Sequence, residues 1–163
     1  MIMNYNRVLK DMNHYSKEGL LRELSKVFEI ELKGKIQVRP SKKGEFGMYV
    51  SEEWYQLNLQ NSYKSDDPVD GLDVSVLQNH VLNPIFGIED PKTDNRIDFV
   101  GGIRGLDELE KRVHNDCMVA FSMYPTSISE LFEVADVNRL MPPKSTWFEP
   151  KLRSGLFVHS IKE

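Results

Sequence analysis

Two apolar runs, Phe46-Gly47-Met48-Tyr49-Val50 and Trp54-Tyr55-Gln56-Leu57-Asn58-Leu59, stand on either side of Ser51-Glu52-Glu53. In the second run Tyr55, Leu57 and Leu59 recur at every other position, with Trp54, Gln56 and Asn58 between them. A period of two belongs to extended chain with one face buried, and so short a connection joins antiparallel neighbours. The stretch therefore reads as a half-buried β-hairpin and makes the sheet at least partly antiparallel.

Upstream, Lys33 to Gly44 is basic and turn-rich, with Gly34 and Pro40, and reads as a hairpin or loop in which Lys42 and Lys43 face solvent. Before it, Leu20, Leu24, Val27 and Phe28 recur at helical spacing behind Ser16, a residue suited to capping, so residues 14–28 are expected to form a helix. Phe28-Glu29-Ile30-Glu31 then leaves it as a strand.

Downstream, Asn61 to Gly71 is a polar break with turn signals at Asp66-Asp67-Pro68 and Asp70-Gly71. This turn at 61–71 is read as joining two parts of one domain spanning 1–163. Asp73 is placed to cap a second helix that carries Val74, Leu77, Val81 and Ile85 and ends or bends at Pro84. Arg96 to Val100 reads as a strand running into Gly101-Gly102, followed by a short helix through Leu106, Leu109 and Val113. Cys117 to Tyr124 is densely apolar, stops at Pro125, and is expected to be a central strand carrying a buried thiol. Ser127-Ile128-Ser129-Glu130 fits a capping box, with Ile128, Leu131, Phe132 and Ala135 as the buried stripe of the next helix. Gly155 to Ile161 reads as a last strand. The predicted class is α+β: one mixed or mainly antiparallel sheet with packed helices. Its expected core includes Leu24, Leu57, Leu77, Val81, Phe99, Val119, Phe121, Leu131, Leu156 and Val158.

Composition narrows the function. With 21 basic against 25 acidic side chains the net charge is -4, which gives no bulk signal for nucleic acid. No apolar run is long enough to cross a bilayer, and the first residues lack the apolar stretch expected of a signal peptide. Cys117 is the single cysteine, so an intrachain disulfide framework is excluded. The expected location is cytoplasmic. His14, His80, His114 and His159 are too scattered for a metal signature, and Asp90 and Asp94 lack calcium-loop spacing.

Two segments carry the candidate chemistry. In Asp98-Phe99-Val100-Gly101-Gly102-Ile103-Arg104-Gly105, the glycines allow a tight turn whose amides face a phosphate, Arg104 offers a bidentate contact, and Asp98 offers a cation ligand. The pattern is neither a dinucleotide fingerprint nor a P-loop, and a purely structural strand-to-helix turn fits it as well. In Met141-Pro142-Pro143-Lys144-Ser145-Thr146-Trp147-Phe148-Glu149-Pro150-Lys151, Lys144 and Lys151 supply charge and Ser145 and Thr146 supply short donors for a phosphate or carboxylate. The same prolines and aromatics also suit a stiff loop that fills a sheet edge. The two segments are expected to meet in one anion-binding cleft.

The chain resembles the carboxy-terminal part of the bacterial and archaeal family called domain of unknown function 1015. Tyr5-Asn6-Arg7-Val8-Leu9-Lys10-Asp11, Leu72 to His80, Gly87-Ile88-Glu89-Asp90, Ile97 to Gly102 and Met141 to Lys151 carry the resemblance. Longer members have a ParB-like amino-terminal part with a Gly-His-His-Arg motif ahead of the region around Tyr5, and that part is missing here. The resemblance therefore implies an isolated carboxy-terminal region, with an upstream ParB-like domain as its partner. ParB-like relatives include nucleotide-dependent enzymes and free-serine kinases. This implies the alternative of a small-molecule phosphotransferase part, with a nucleotide and a divalent cation in the complete architecture. With the catalytic part absent, the first expectation is a noncatalytic accessory or interaction domain.

Overall fold

The computed structural model describes residues 1–150. The strand expected at Gly155–Ile161, the core positions Leu156 and Val158, the histidine His159 and the candidate Lys151 lie outside the described residues. In chain order the elements are β1 (Ile2–Met3), β2 (Tyr5–Leu9), α1 (Lys17–Leu24), β3 (Phe28–Gly34), β4 (Glu45–Val50), β5 (Glu53–Leu59), α2 (Asp73–Leu77), a π-helical turn (Gln78–Leu82), β6 (Ile97–Gly101), α3 (Gly105–Asn115), β7 (Val119–Ser122), α4 (Ile128–Asp136) and β8 (Trp147–Phe148). Six strands form one sheet in the order β3-β5-β4-β7-β2-β6, and β1 pairs separately with β8. Every pairing is antiparallel. The α+β class follows directly.

The hairpin is present, with Val50 opposite Glu53. Ser51 and Glu52 form its two-residue turn at φ 49° and 63°, the left-handed backbone that matches the twist of the flanking strands. Its expected half-burial is corrected. Trp54 is fully buried, because the sheet has a core on each face. Leu57 and Tyr55 face α1 and α2 with Leu20, Leu24 and Leu77. Trp54 and Tyr49 face α3 with Val8, Leu106 and Leu109. The indole Nε1–H of Trp54 donates to Glu110 Oε1 at 2.8 Å, which ties α3 to the sheet. β7 lies between β4 and β2, the central place its apolar content predicted. Its ends are shorter than expected. Cys117 is buried, but it precedes the strand.

Close approach explains Gly47. A Cβ there would lie 2.2 Å from Ser122 Oγ and 2.7 Å from the Val38 carbonyl oxygen. The Ser122 hydroxyl donates to that same carbonyl at 2.7 Å, so the 35–44 loop crosses tightly over the central strands.

Several helix expectations change. α1 covers eight residues rather than 14–28, because Phe28 already belongs to β3; Ser16 does cap it, accepting from Gly19 N–H. Asp73 does not cap α2. Leu72 holds the N-cap position, and both Asp73 carboxylate oxygens accept from Gly44 N–H at 3.0 and 3.1 Å. The expected continuous second helix widens after Leu77 into the π turn, where Asn83 N–H bonds to Gln78 O. The capping box of Ser127 and Glu130 is present on α4. The stripe assigned to that helix is not buried. Ile128 and Phe132 are 60% and 64% exposed, Ala135 faces solvent, Leu131 is half-buried, and Val134 alone is buried there. Phe99 is also only half-buried.

Candidate functional site

β2, which the hydrophobic pattern alone did not single out, organises the site. It lies between β7 and β6, with Tyr5 opposite Gly101 and Arg7 opposite Phe99 and Phe121. Strand alternation puts Tyr5, Arg7 and Leu9 on one face with Phe99. The 141–150 segment folds back over this face, and β8 pairs with β1 beside it.

Lys144 occupies left-handed backbone at φ 57°. Such a conformation costs a side-chain-bearing residue about 1 kcal/mol, and here Arg7 Nη2 steadies it by donating to the Lys144 carbonyl at 2.9 Å. Lys144 Nζ lies 5.6 Å from the Phe99 ring centroid and 5.9 Å from that of Tyr5. The guanidinium of Arg7 lies 5.4 Å from the Phe99 centroid. Two cations thus share one aromatic ring, and neither meets a carboxylate among the described residues. An open groove of about 540 Å³ runs past Tyr5, Lys144, Ser145, Thr146 and Trp147. Ser145 is buried, and its carbonyl accepts from Thr126 Oγ1.

Trp147 joins the two sequence candidates. Its ring lies on Gly101, where a Cβ would come within 2.8 Å of two ring carbons. The charges nevertheless divide between the faces of β6. Asp98 points to α3 and pairs with Arg112 at 2.9 Å, while Lys144 lies over Phe99 on the opposite face. Arg104, 3.8 Å from Glu108, lines a second cavity of about 310 Å³ with Asp98, Arg112 and Trp147. Arg112 is bound most strongly by Asp116, which raises its pKa. The two segments expected to share a cleft thus meet where Trp147 lies on Gly101, and Trp147 borders both the groove beneath Lys144 and the cavity of Arg104, which Phe99 and Gly101 line as well. Gly102 N–H donates to the Asn4 carbonyl and is engaged within the fold. His80 packs edge-on against Tyr63, and no group of three His, Cys, Asp or Glu side chains is placed to hold a metal among the described residues.

Sequence reasoning missed Arg7. The signal was available: an arginine two positions from Leu9 on an extended segment must share its inward face. Arg7 is 3% exposed, and burial lowers its pKa to about 10, so it stays charged at neutral pH.

An antiparallel α+β sheet with a cation-bearing loop folded across its edge strand defines a class of architecture and no particular reaction. Residues 1–75 match the family model described as protein of unknown function (DUF1015), so the chain carries a DUF1015 region. That match includes Tyr5, Arg7 and Asp73 and stops before the segments at 98–104 and 141–150. No curated protein matches the chain. No helix among the described residues is long and apolar enough to cross a membrane.

Proposed function

We propose that this chain is a noncatalytic accessory or interaction domain that takes up an anionic group, a phosphate or a carboxylate, in the groove beneath Lys144. One observation carries the reading: Lys144 is held in left-handed backbone with its ammonium over Tyr5 and Phe99, and no carboxylate pairs with it among the described residues. A cation so placed is available to an anion, and Ser145 and Thr146 offer donors along the same groove. The anion is carried either by a free ligand or by a partner such as an upstream ParB-like domain. The reading places the protein in the cytoplasm, in keeping with a lone buried thiol at Cys117.

Calorimetric titration of the full chain with inorganic phosphate and with ATP tests it. Phosphate binding that falls at least about tenfold in Lys144→Ala, with the fold intact, is the expected result; a tenfold loss corresponds to about 1.4 kcal/mol, within reach of one charge-assisted contact. Equal phosphate binding by wild type and variant refutes the groove. Tight ATP binding that needs both Lys144 and Arg104 overturns the accessory reading in favour of a nucleotide-dependent enzyme.

A further inference from the structure

The groove beneath Lys144 sets its cation against aromatic walls. Lys144, Ser145 and Thr146 supply the polar groups of its lining, and Tyr5, Pro142 and Trp147 supply most of the rest. Among the described residues no Asp or Glu belongs to that lining. The neighbouring Glu149 carboxylate lies outside it and accepts from Trp147 Nε1–H at 3.1 Å. An anion entering the groove therefore meets a cation and no carboxylate on these walls.

Phe99, Tyr5 and Trp147 stand in a row behind that cation. The ring centroids are 5.4 Å apart between Phe99 and Tyr5, and 5.3 Å apart between Tyr5 and Trp147. Lys144 Nζ stands over the Phe99–Tyr5 end, 5.6 and 5.9 Å from the two centroids. At the other end the Trp147 ring rests on Gly101. The register between β2 and β6 holds Tyr5 opposite that same Gly101. Tyr5 and Trp147 are only half-buried, and both keep surface toward the groove. Rings already ordered by packing lose little further entropy when a ligand covers them.

The groove encloses about 540 Å³, roughly eighteen water volumes at about 30 Å³ each. An inorganic ion fills a small part of that space. Sites of this size take an apolar body and orient it with a few polar groups. A flat ring laid along Tyr5 and Trp147 gains the edge and face contacts of aromatic pairs, which add to the area buried. A saturated ring of similar size buries area without that addition.

We propose that the groove selects aromatic acids: a flat ring that carries its carboxylate or phosphate directly, with the acid group on Lys144 and the ring along Tyr5 and Trp147. The proposal rests on the anion-binding reading of this groove and names the body that carries the anion.

Protein-observed NMR titration of the full chain tests it, following the Trp147 indole N–H with acetate, cyclohexanecarboxylate, benzoate, inorganic phosphate and phenyl phosphate. Benzoate is expected to bind at least about tenfold tighter than acetate, and phenyl phosphate at least about tenfold tighter than phosphate, from ring burial and ring contact together. Cyclohexanecarboxylate should fall between acetate and benzoate. Tyr5→Leu keeps an apolar wall and should remove most of the advantage of benzoate over cyclohexanecarboxylate. If Tyr5→Leu fails to fold, that comparison in the wild type still decides. Lys144→Ala should weaken all five ligands by similar factors. Benzoate no tighter than acetate or cyclohexanecarboxylate overturns the proposal, as does phenyl phosphate no tighter than phosphate or an unchanged benzoate preference in Tyr5→Leu. If acetate and phosphate still bind through Lys144 in such a case, the anion-binding reading stands without this proposal. If no anion binds in a Lys144-dependent way, both fall.

Discussion

Raising the pH from mildly acidic to mildly alkaline should weaken this protein through Asp73. The side chain is 8% exposed, and burial raises its pKa from 3.8 to about 7 against the opposing pull of the Gly44 N–H and Lys43, with Glu130 nearby adding to the rise. The sign follows from where the proton resides. Below about 3.8 the carboxyl is protonated in both the folded and the unfolded chain. Between 3.8 and about 7 the folded chain keeps the proton while the unfolded chain releases it, so stability falls as pH rises. Above about 7 both states are ionised and the loss is complete. Roughly three pH units at about 1.4 kcal/mol each set an upper figure of about 4 kcal/mol for the whole window. Other carboxylates, including Asp67, Asp94 and Asp116, have lowered pKa values, and their contributions are lost in the acid direction. Asp116, for instance, is held ionised chiefly by its hydrogen bonds from Arg112. The comparison that isolates Asp73 is therefore wild type against Asp73→Asn, which keeps an acceptor for Gly44 and loses the titration.

Urea denaturation of both proteins at about pH 5 and about pH 8 measures the effect. Roughly two units of the window lie above the lower of these, so the wild type should lose up to about 3 kcal/mol more than the variant across the span. Parallel profiles would mean that Asp73 is ionised in the folded state, held by Gly44 and Lys43, and the burial argument would fail.

Three other substitutions probe separate parts of the structure. Gly101→Ala places a Cβ 2.8 Å from the Trp147 ring and should displace it, costing roughly 1–3 kcal/mol; unchanged chemical stability and unchanged tryptophan emission would refute the contact. Ser127→Ala removes the α4 capping box and should cost about 1 kcal/mol in thermal denaturation, whereas no loss would show that the cap contributes nothing. Phe132→Ser, at a site 64% exposed, should change stability by less than about 0.5 kcal/mol; a large loss would show that the ring is covered in solution.

The antiparallel hairpin, the central place of β7 and the α4 capping box were legible in the sequence, because each depends on neighbours within a few residues. Period-two alternation marks a strand, and Ser127 with Glu130 marks a helix start, whatever surrounds them. The misreadings have one physical source. Amphipathicity names an apolar face without naming what covers it. The Ile128–Phe132 stripe is apolar and left exposed, whereas Trp54, on the side assigned to solvent, is covered by α3. Asp73 is a further case: its position suits a helix cap, but the Gly44 N–H that it meets comes from 29 residues away.

The candidate site follows the same logic at longer range. Sequence spacing located Lys144 and Asp98 as polar groups beside structured segments; Asp98 lies in β6 and Lys144 reaches over its Phe99 ring. Which face each charge occupies depends on strand parity. Asp98 and Phe99 are consecutive, so they point to opposite sides of the sheet, and a cation stacked on Phe99 is separated from the Asp98–Arg112 pair by the strand itself. The same parity places Arg7 on the Phe99 side, where β2 brings it to the Lys144 carbonyl. Register between β2 and β6 is therefore the feature that assembles the cationic face. A one-residue slip would turn Arg7 toward α3 and take it away from the Lys144 carbonyl and the Phe99 ring.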